Sequence, residues 1–281
     1  LAVVAGLDAD LQPAGWRLTG SSGSAGMDHR RARSLLAQDL DTFEEETQGY
    51  AGRLKLQVTG PWTLAATVEK PRGDRVLSDH GARRELAQAL AEGIGDHVAD
   101  VRRRVPGAEL LVQVDEPALP FVLAGQVPTA SGLHRHRSVD LPIASALLEE
   151  VFAAVTAAGA TPVAHCCATD VPVGLLVGAG AQGISVDLDA LPLAAYDEVA
   201  TLLEKGAPVM LGVVPAVEPD PVPGQKAVVE KVLRFLDMLG FDAEAVSGNL
   251  VVTPACGLAG ASHGWARESL RIVGGVAASL G

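Results

Sequence analysis

Aromatic side chains are scarce, at 4% of the 281 residues, while hydrophobic residues make up 48%. A core must therefore be assembled from Ala, Val and Leu, a usage that suits helices packed closely on a parallel sheet. Cysteine is scarcer still, with three in all. An odd number, with Cys166 and Cys167 adjacent, makes no disulfide framework and fits a reducing compartment. Bases are outnumbered, 22 against 34 acids, for a net charge of −12. Such a surface repels phosphate backbones, which argues against a nucleic-acid partner. The runs Arg30-Arg31-Ala32-Arg33 and Arg102-Arg103-Arg104 fall in helical patterns rich in acids and read as solvated helix faces. A membrane span is also missing. The longest apolar stretch, 171–186, is broken by Pro172, Gly174, Gly178, Gly180 and Gly183, and it falls short of the roughly 20 residues a spanning helix needs. The chain opens on Leu1 with no basic start and apolar core of a signal peptide. The expectation is a cytoplasmic protein.

What is present is an alternation. Seven short β-like runs stand at 15–19, 54–59, 110–114, 161–164, 183–186, 208–214 and 250–253. Helical patterns lie between and after them at 29–50, 80–104, 143–158, 194–205, 225–239 and from about 265 onward. Apolar strands each followed by a helix read as βαβ units with a parallel sheet, in one domain over 1–281. Both an open doubly wound sheet and a closed barrel show this pattern. The polar residues decide between them, because Asp115, His165, Cys167, Asp187 and Cys256 all sit at C-terminal strand ends. In a (β/α)₈ barrel those ends converge on one face, where sites are built. The expected fold is therefore an α/β (β/α)₈ TIM barrel, with its first strand ahead of Leu1.

His165-x-Cys167 sets a nitrogen and a sulfur two residues apart at a strand end, so both can face one ion. Cys256 would arrive from a distant strand. Two sulfurs and an imidazole suit Zn²⁺, with Asp187 as a fourth ligand or the fourth position left open for substrate. Cys166 faces the other way and reads as packing. The competing reading makes all three cysteines small buried hydrophobes.

Four motifs then carry a resemblance. Val112-Gln113-Val114-Asp115-Glu116-Pro117-Ala118-Leu119, His165-Cys166-Cys167, Thr253-Pro254-Ala255-Cys256-Gly257-Leu258 and Val58-Thr59-Gly60-Pro61 resemble, in order and spacing, the motifs of the cobalamin-independent methionine synthase family. The resemblance implies a zinc-dependent thiol methyltransferase on a TIM barrel, with homocysteine bound through its sulfur on the metal. It implies a carboxylate at Asp115 for the substrate ammonium group, while Glu116 either orients Asp115 or faces solvent.

The match breaks in four places. The family's zinc-ligating Glu aligns with Asp187, one methylene shorter. Gly15-Trp16-Arg17-Leu18-Thr19 stands where the family has Gly-Glu-Pro. Thr67 lies near the place of the Trp found in folate-using members, and the long N-terminal half that recruits polyglutamyl methylfolate is not in the sequence. These losses point to a corrinoid protein carrying methylcobalamin as the donor partner. A coenzyme M-type thiol acceptor and a non-catalytic zinc-containing barrel are the alternatives. The basic group His134, Arg135, His136 and Arg137 reads as an exposed loop, and His29, His80, His97 and His263 read as surface residues.

Overall fold

The alternation of strands and helices is present in the computed structural model, which describes residues 1–19 and 26–281. The chain divides into two units, Leu1–Pro162 with Gly178–Gly180, and Val163–Val177 with Ala181–Gly281.

The first unit begins with β1 (Ala9–Gln12) and β2 (Gly15–Leu18), paired antiparallel. The run at 15–19 is thus a strand, but not a parallel one. Only Pro13 and Ala14 separate it from β1, and a link that short returns the chain antiparallel, whereas a parallel partner needs a crossover of roughly a dozen residues. α1 (Met27–Glu46), β3 (Gly52–Thr59), α2 (Pro61–Thr67), α3 (His80–Arg104), β4 (Ala108–Asp115), α4 (Leu119–Leu123) and α5 (Leu141–Ala157) follow. β3 and β4 run parallel, in register from Gly52 opposite Ala108 to Thr59 opposite Asp115.

α3 starts where the Asp79 carboxylate accepts the amides of Gly81 and Ala82 at 2.9 and 3.1 Å, satisfying two of the helix's orphan donors. Its buried stripe of Leu86, Leu90, Ile94, Val98 and Val101 repeats at helical spacing and packs on α5. The basic run at its end is absorbed locally. Arg102 donates to the carbonyls of Ala158 and Gly159 at 2.8 and 2.9 Å, closing the C-terminus of α5. Arg104 reaches Asp41 and Glu44 of α1 at 2.7 and 2.8 Å. His29 departs from expectation. It is fully buried beneath the N-terminal segment, and its Nε2 donates to the Leu1 carbonyl at 3.1 Å.

The second unit carries the rest of β5 (Thr161–Cys166), then α6 (Val173–Gly178) but for its last residue, β6 (Gly183–Asp187), α7 (Tyr196–Glu204), β7 (Val209–Val214), α8 (Gln225–Leu239), α9 (Ala243–Val246), β8 (Leu250–Pro254) and α10 (His263–Leu280). β5, β6, β7 and β8 are successive parallel neighbours. β7 is buried along its whole length, as expected of a parallel strand covered on both faces. Ser262 caps α10 by accepting the Trp265 amide at 3.0 Å, and the buried Trp265 indole donates to the Pro215 carbonyl at 3.1 Å. That bond pins the last helix to the loop after β7. Among the described residues no helix is long and apolar enough to cross a membrane.

Candidate metal centre

β5 delivers the first donor. Strand alternation turns Cys166 into the core, where it is buried, and turns His165 the opposite way. In the register of β5 with β6, His165 lies opposite Ser185. Its Nδ1 is 3.0 Å from the Ser185 carbonyl oxygen and 3.1 Å from the Ser185 hydroxyl. A carbonyl can only accept, so Nδ1 carries the proton and Nε2 presents its lone pair. Metal-ligating histidines have ring and tautomer fixed in this way.

The lone pair meets sulfur. Cys256, two residues beyond β8, has Sγ 3.8 Å from His165 Nε2, and Cys167 Sγ lies 3.1 Å from Cys256 Sγ. The ligand atoms of His165, Cys167 and Cys256 all lie within 4.8 Å of one another. A tetrahedral zinc with its usual bond lengths would hold S and N about 3.6 Å apart and two sulfurs about 3.8 Å apart. The S–N separation already fits. The sulfurs stand too close by about 0.7 Å, and because Cys256 is exposed and Cys167 half-buried, rotation of either side chain opens the gap. The set of two thiols and one imidazole matches the preference of a borderline-soft divalent ion.

The two thiols share a proton unequally. Cys167 donates to Cys256, and that bond pulls the Cys256 thiol well below its ordinary range while pushing Cys167 up. Asp187 closes β6, but its carboxylate is not among the gathered groups, and its Oδ1 accepts the Asp189 amide at 3.0 Å. Burial pushes its carboxyl above the usual range.

In the first unit, Asp115 ends β4, and Gln113, two residues back on the same face, donates to its Oδ1 at 2.8 Å. Of the two readings of Glu116, the structure overturns the solvent-facing one, because the residue is completely buried. Its Oε1 accepts the Trp62 amide, and its Oε2 accepts both the amide and the hydroxyl of Thr63, each at 2.8 Å. Glu116 thus caps the start of α2 from a distant strand. The Gly60 amide donates to the Asp115 carbonyl at 2.8 Å, and a Cβ on Gly60 would fall 2.5 Å from Glu116 Oε1. The Thr-Gly-Pro and Asp-Glu-Pro motifs are therefore one device, in which the glycine is required by the carboxylate. Ser185 and Gln113 were not singled out from sequence, although a polar residue inside each apolar strand was the available signal.

Residues 46–279 match the family described as cobalamin-independent synthase, catalytic domain. No curated protein matches the chain. Among solved structures, the dihydropteroate synthase of Xanthomonas albilineans is 20% identical, with 74% of this chain and 62% of that protein covered and a TM-score of 0.37. The chain thus spans 62% of that protein's length. A 2,3-dimethylmalate lyase of the PEP mutase/isocitrate lyase superfamily is 11% identical, with 83% and 84% covered and a TM-score of 0.32. The pyruvate carboxylase of Rhizobium etli is 14% identical, with 88% and 28% covered and a TM-score of 0.26. Likenesses this weak carry no argument about fold or chemistry.

Proposed function

The chain belongs to the cobalamin-independent synthase catalytic-domain family, and from that premise we propose that it is a zinc-dependent methyltransferase whose acceptor is the thiolate of homocysteine. The family is a methionine synthase-like, methyl-transferring one. The observation that supports the metal is the gathering of the His165, Cys167 and Cys256 donor atoms within 4.8 Å of one another. When bound there, zinc supplies the positive charge that keeps a substrate thiol deprotonated at neutral pH, where a free thiol of pKa ~8.5 is mostly protonated.

The chain's own residues do the rest. Ser185 holds His165 in the tautomer whose Nε2 faces the sulfurs. Three protein donors leave a fourth position for the substrate sulfur, with Asp187 the residue that would otherwise close it. Asp115, aligned by Gln113, receives the ammonium group of the amino-acid acceptor. We read 1–281 as one catalytic (β/α)₈ barrel, for which β3 to β8 supply parallel strands, and place it in the reducing cytoplasm.

For the donor we propose a methylated corrinoid protein. Thr67 stands near the place of the Trp of folate-using members, and its hydroxyl is turned back onto the Thr63 carbonyl at 2.7 Å. In the transfer the thiolate sulfur supplies the electron pair of the new S–C bond, and the corrinoid keeps the pair of the broken Co–C bond. The test is an assay for methionine with homocysteine and either methylcobalamin or methyltetrahydrofolate, together with metal analysis. Zinc at one per chain and turnover with methylcobalamin are expected. Turnover with folate alone overturns the donor, and a four-protein-ligand zinc without turnover makes the ion a structural staple.

A further inference from the structure

A cavity of about 520 Å³ opens in the first unit at the N-terminal ends of α3 and α5. Its lining is cationic in a chain of net charge −12. Arg83, Arg135 and Arg137 border it together with His80 and His136, and Asp140 is the one carboxylate of the lining.

One of these groups is buried without a paired carboxylate. Arg83 is 6% exposed and stacks over the Trp62 ring at 5.6 Å. Its hydrogen-bond acceptor is His80 Nδ1, and among the described residues no carboxylate pairs with it. Asp79, which adds some negative potential, is occupied by the amides of Gly81 and Ala82 and by Lys70 at 3.7 Å. A buried guanidinium is costly without a counter-charge. The His136 side chain is 8% exposed, and its Nε2 is paired with Asp74 Oδ1 at 3.3 Å, an oxygen that also accepts the amides of Ala130 and Arg75. Arg135 and Arg137 are exposed at the rim, and among the described residues neither has an acidic partner. Two long helices also point their N-termini here, and the Asp140 side chain leaves α5 uncapped.

We propose that this cavity binds a small molecule through a compact dianionic group, a phosphate or a dicarboxylate. Guanidinium forks match both groups in bidentate fashion. The volume falls in the range of small-molecule sites, ~300–1,000 Å³, which is more room than a bare ion needs. The anion would supply the counter-charge that Arg83 lacks.

The test is calorimetric titration of the full chain with inorganic phosphate and, separately, with glutarate at fixed ionic strength. Binding at about 1 mM or tighter is expected for at least one probe, weakening as salt is raised. The preferred probe identifies the source as phosphoryl or dicarboxylate. The rim variant Arg135→Gln/Arg137→Gln, whose residues are exposed and leave the fold intact, should bind about tenfold more weakly. Arg83→Lys, which keeps the charge but loses the fork, should do the same. No binding of either probe up to about 10 mM overturns the proposal. Binding equally strong in the wild type and both variants also overturns it, since such an anion sits elsewhere, on the metal centre included.

Discussion

Gly212 of β7 and Ala255 beyond β8 are packed backbone to backbone. A Cβ built on Gly212 would lie 2.5 Å from the Ala255 Cα and 3.1 Å from the Val186 carbonyl oxygen. Neither neighbour is the end of a flexible side chain, and the Ala255 amide is tied to the Val214 carbonyl at 2.8 Å. The pairing of β7 with β8 slips at this point, between Gly212 and Val214. The absent side chain is what lets the segment before Cys256 fold down over the strand end. Gly212→Ala should therefore push Cys256 out of reach of His165 and Cys167. We expect a fold destabilised by about 1–3 kcal/mol and zinc affinity lowered roughly tenfold to a hundredfold, measured by competition with a chromophoric chelator. Unchanged zinc affinity would show that this contact does not hold the segment.

The three cysteines should separate cleanly. Cys167 and Cys256 have sulfurs 3.1 Å apart, whereas Cys166 is 1% exposed in the core. Cys167→Ser and Cys256→Ser should lose most of their zinc, because a neutral hydroxyl is a poor replacement for a thiolate donor. Cys166→Ala should keep one zinc per chain and lose only stability, since it removes a small buried side chain. Metal analysis of the three purified variants decides it, and zinc lost from Cys166→Ala alone would contradict the assignment.

Ser185 offers a finer test of how His165 is held. Both its hydroxyl and its backbone carbonyl lie within hydrogen-bond distance of Nδ1, and the carbonyl cannot be removed by mutation. Ser185→Ala should therefore lower zinc affinity by less than about tenfold, the small end of what supporting groups contribute. His165→Ala should abolish tight binding. A Ser185→Ala variant as metal-poor as His165→Ala would mean that the hydroxyl, not the carbonyl, sets the tautomer.

The gathering of His165, Cys167 and Cys256 was legible in the sequence because strand alternation and strand ends are local properties. His165 and Cys167, two residues apart, meet at one point while Cys166 between them turns into the core. The strand at 15–18 was legible too, but its direction was not, because the apolar pattern of a short strand does not encode whether its partner runs parallel. α2 escaped notice because six of its seven residues are buried, which erases the one-sided pattern by which a helix is recognised. The burial of Glu116 was not legible for a related reason. Its role depends on amides of Trp62 and Thr63, more than 50 positions away, and on Gly60 having no side chain.

Burial of that carboxyl gives a pH dependence whose sign can be worked out. Complete burial raises the Glu116 pKa from 4.5 to about 7, against the lowering effect of its bonds to Trp62 and Thr63. Its folded value thus lies above its unfolded value, so the folded state binds the proton more tightly. The stabilisation from holding that proton is complete below about 4.5, declines as pH rises, and is lost above about 7. A shift of this size corresponds to roughly 3 kcal/mol. Wild type and Glu116→Gln should therefore diverge with pH. The wild type should be relatively most stable near pH 4.5, and its margin over the variant should shrink by a few kcal/mol on going to pH 8. Urea unfolding of both proteins across that range measures the difference. A margin that stays flat, or grows with pH, would mean that the three donors from Trp62 and Thr63 outweigh burial and keep Glu116 ionised in the folded chain.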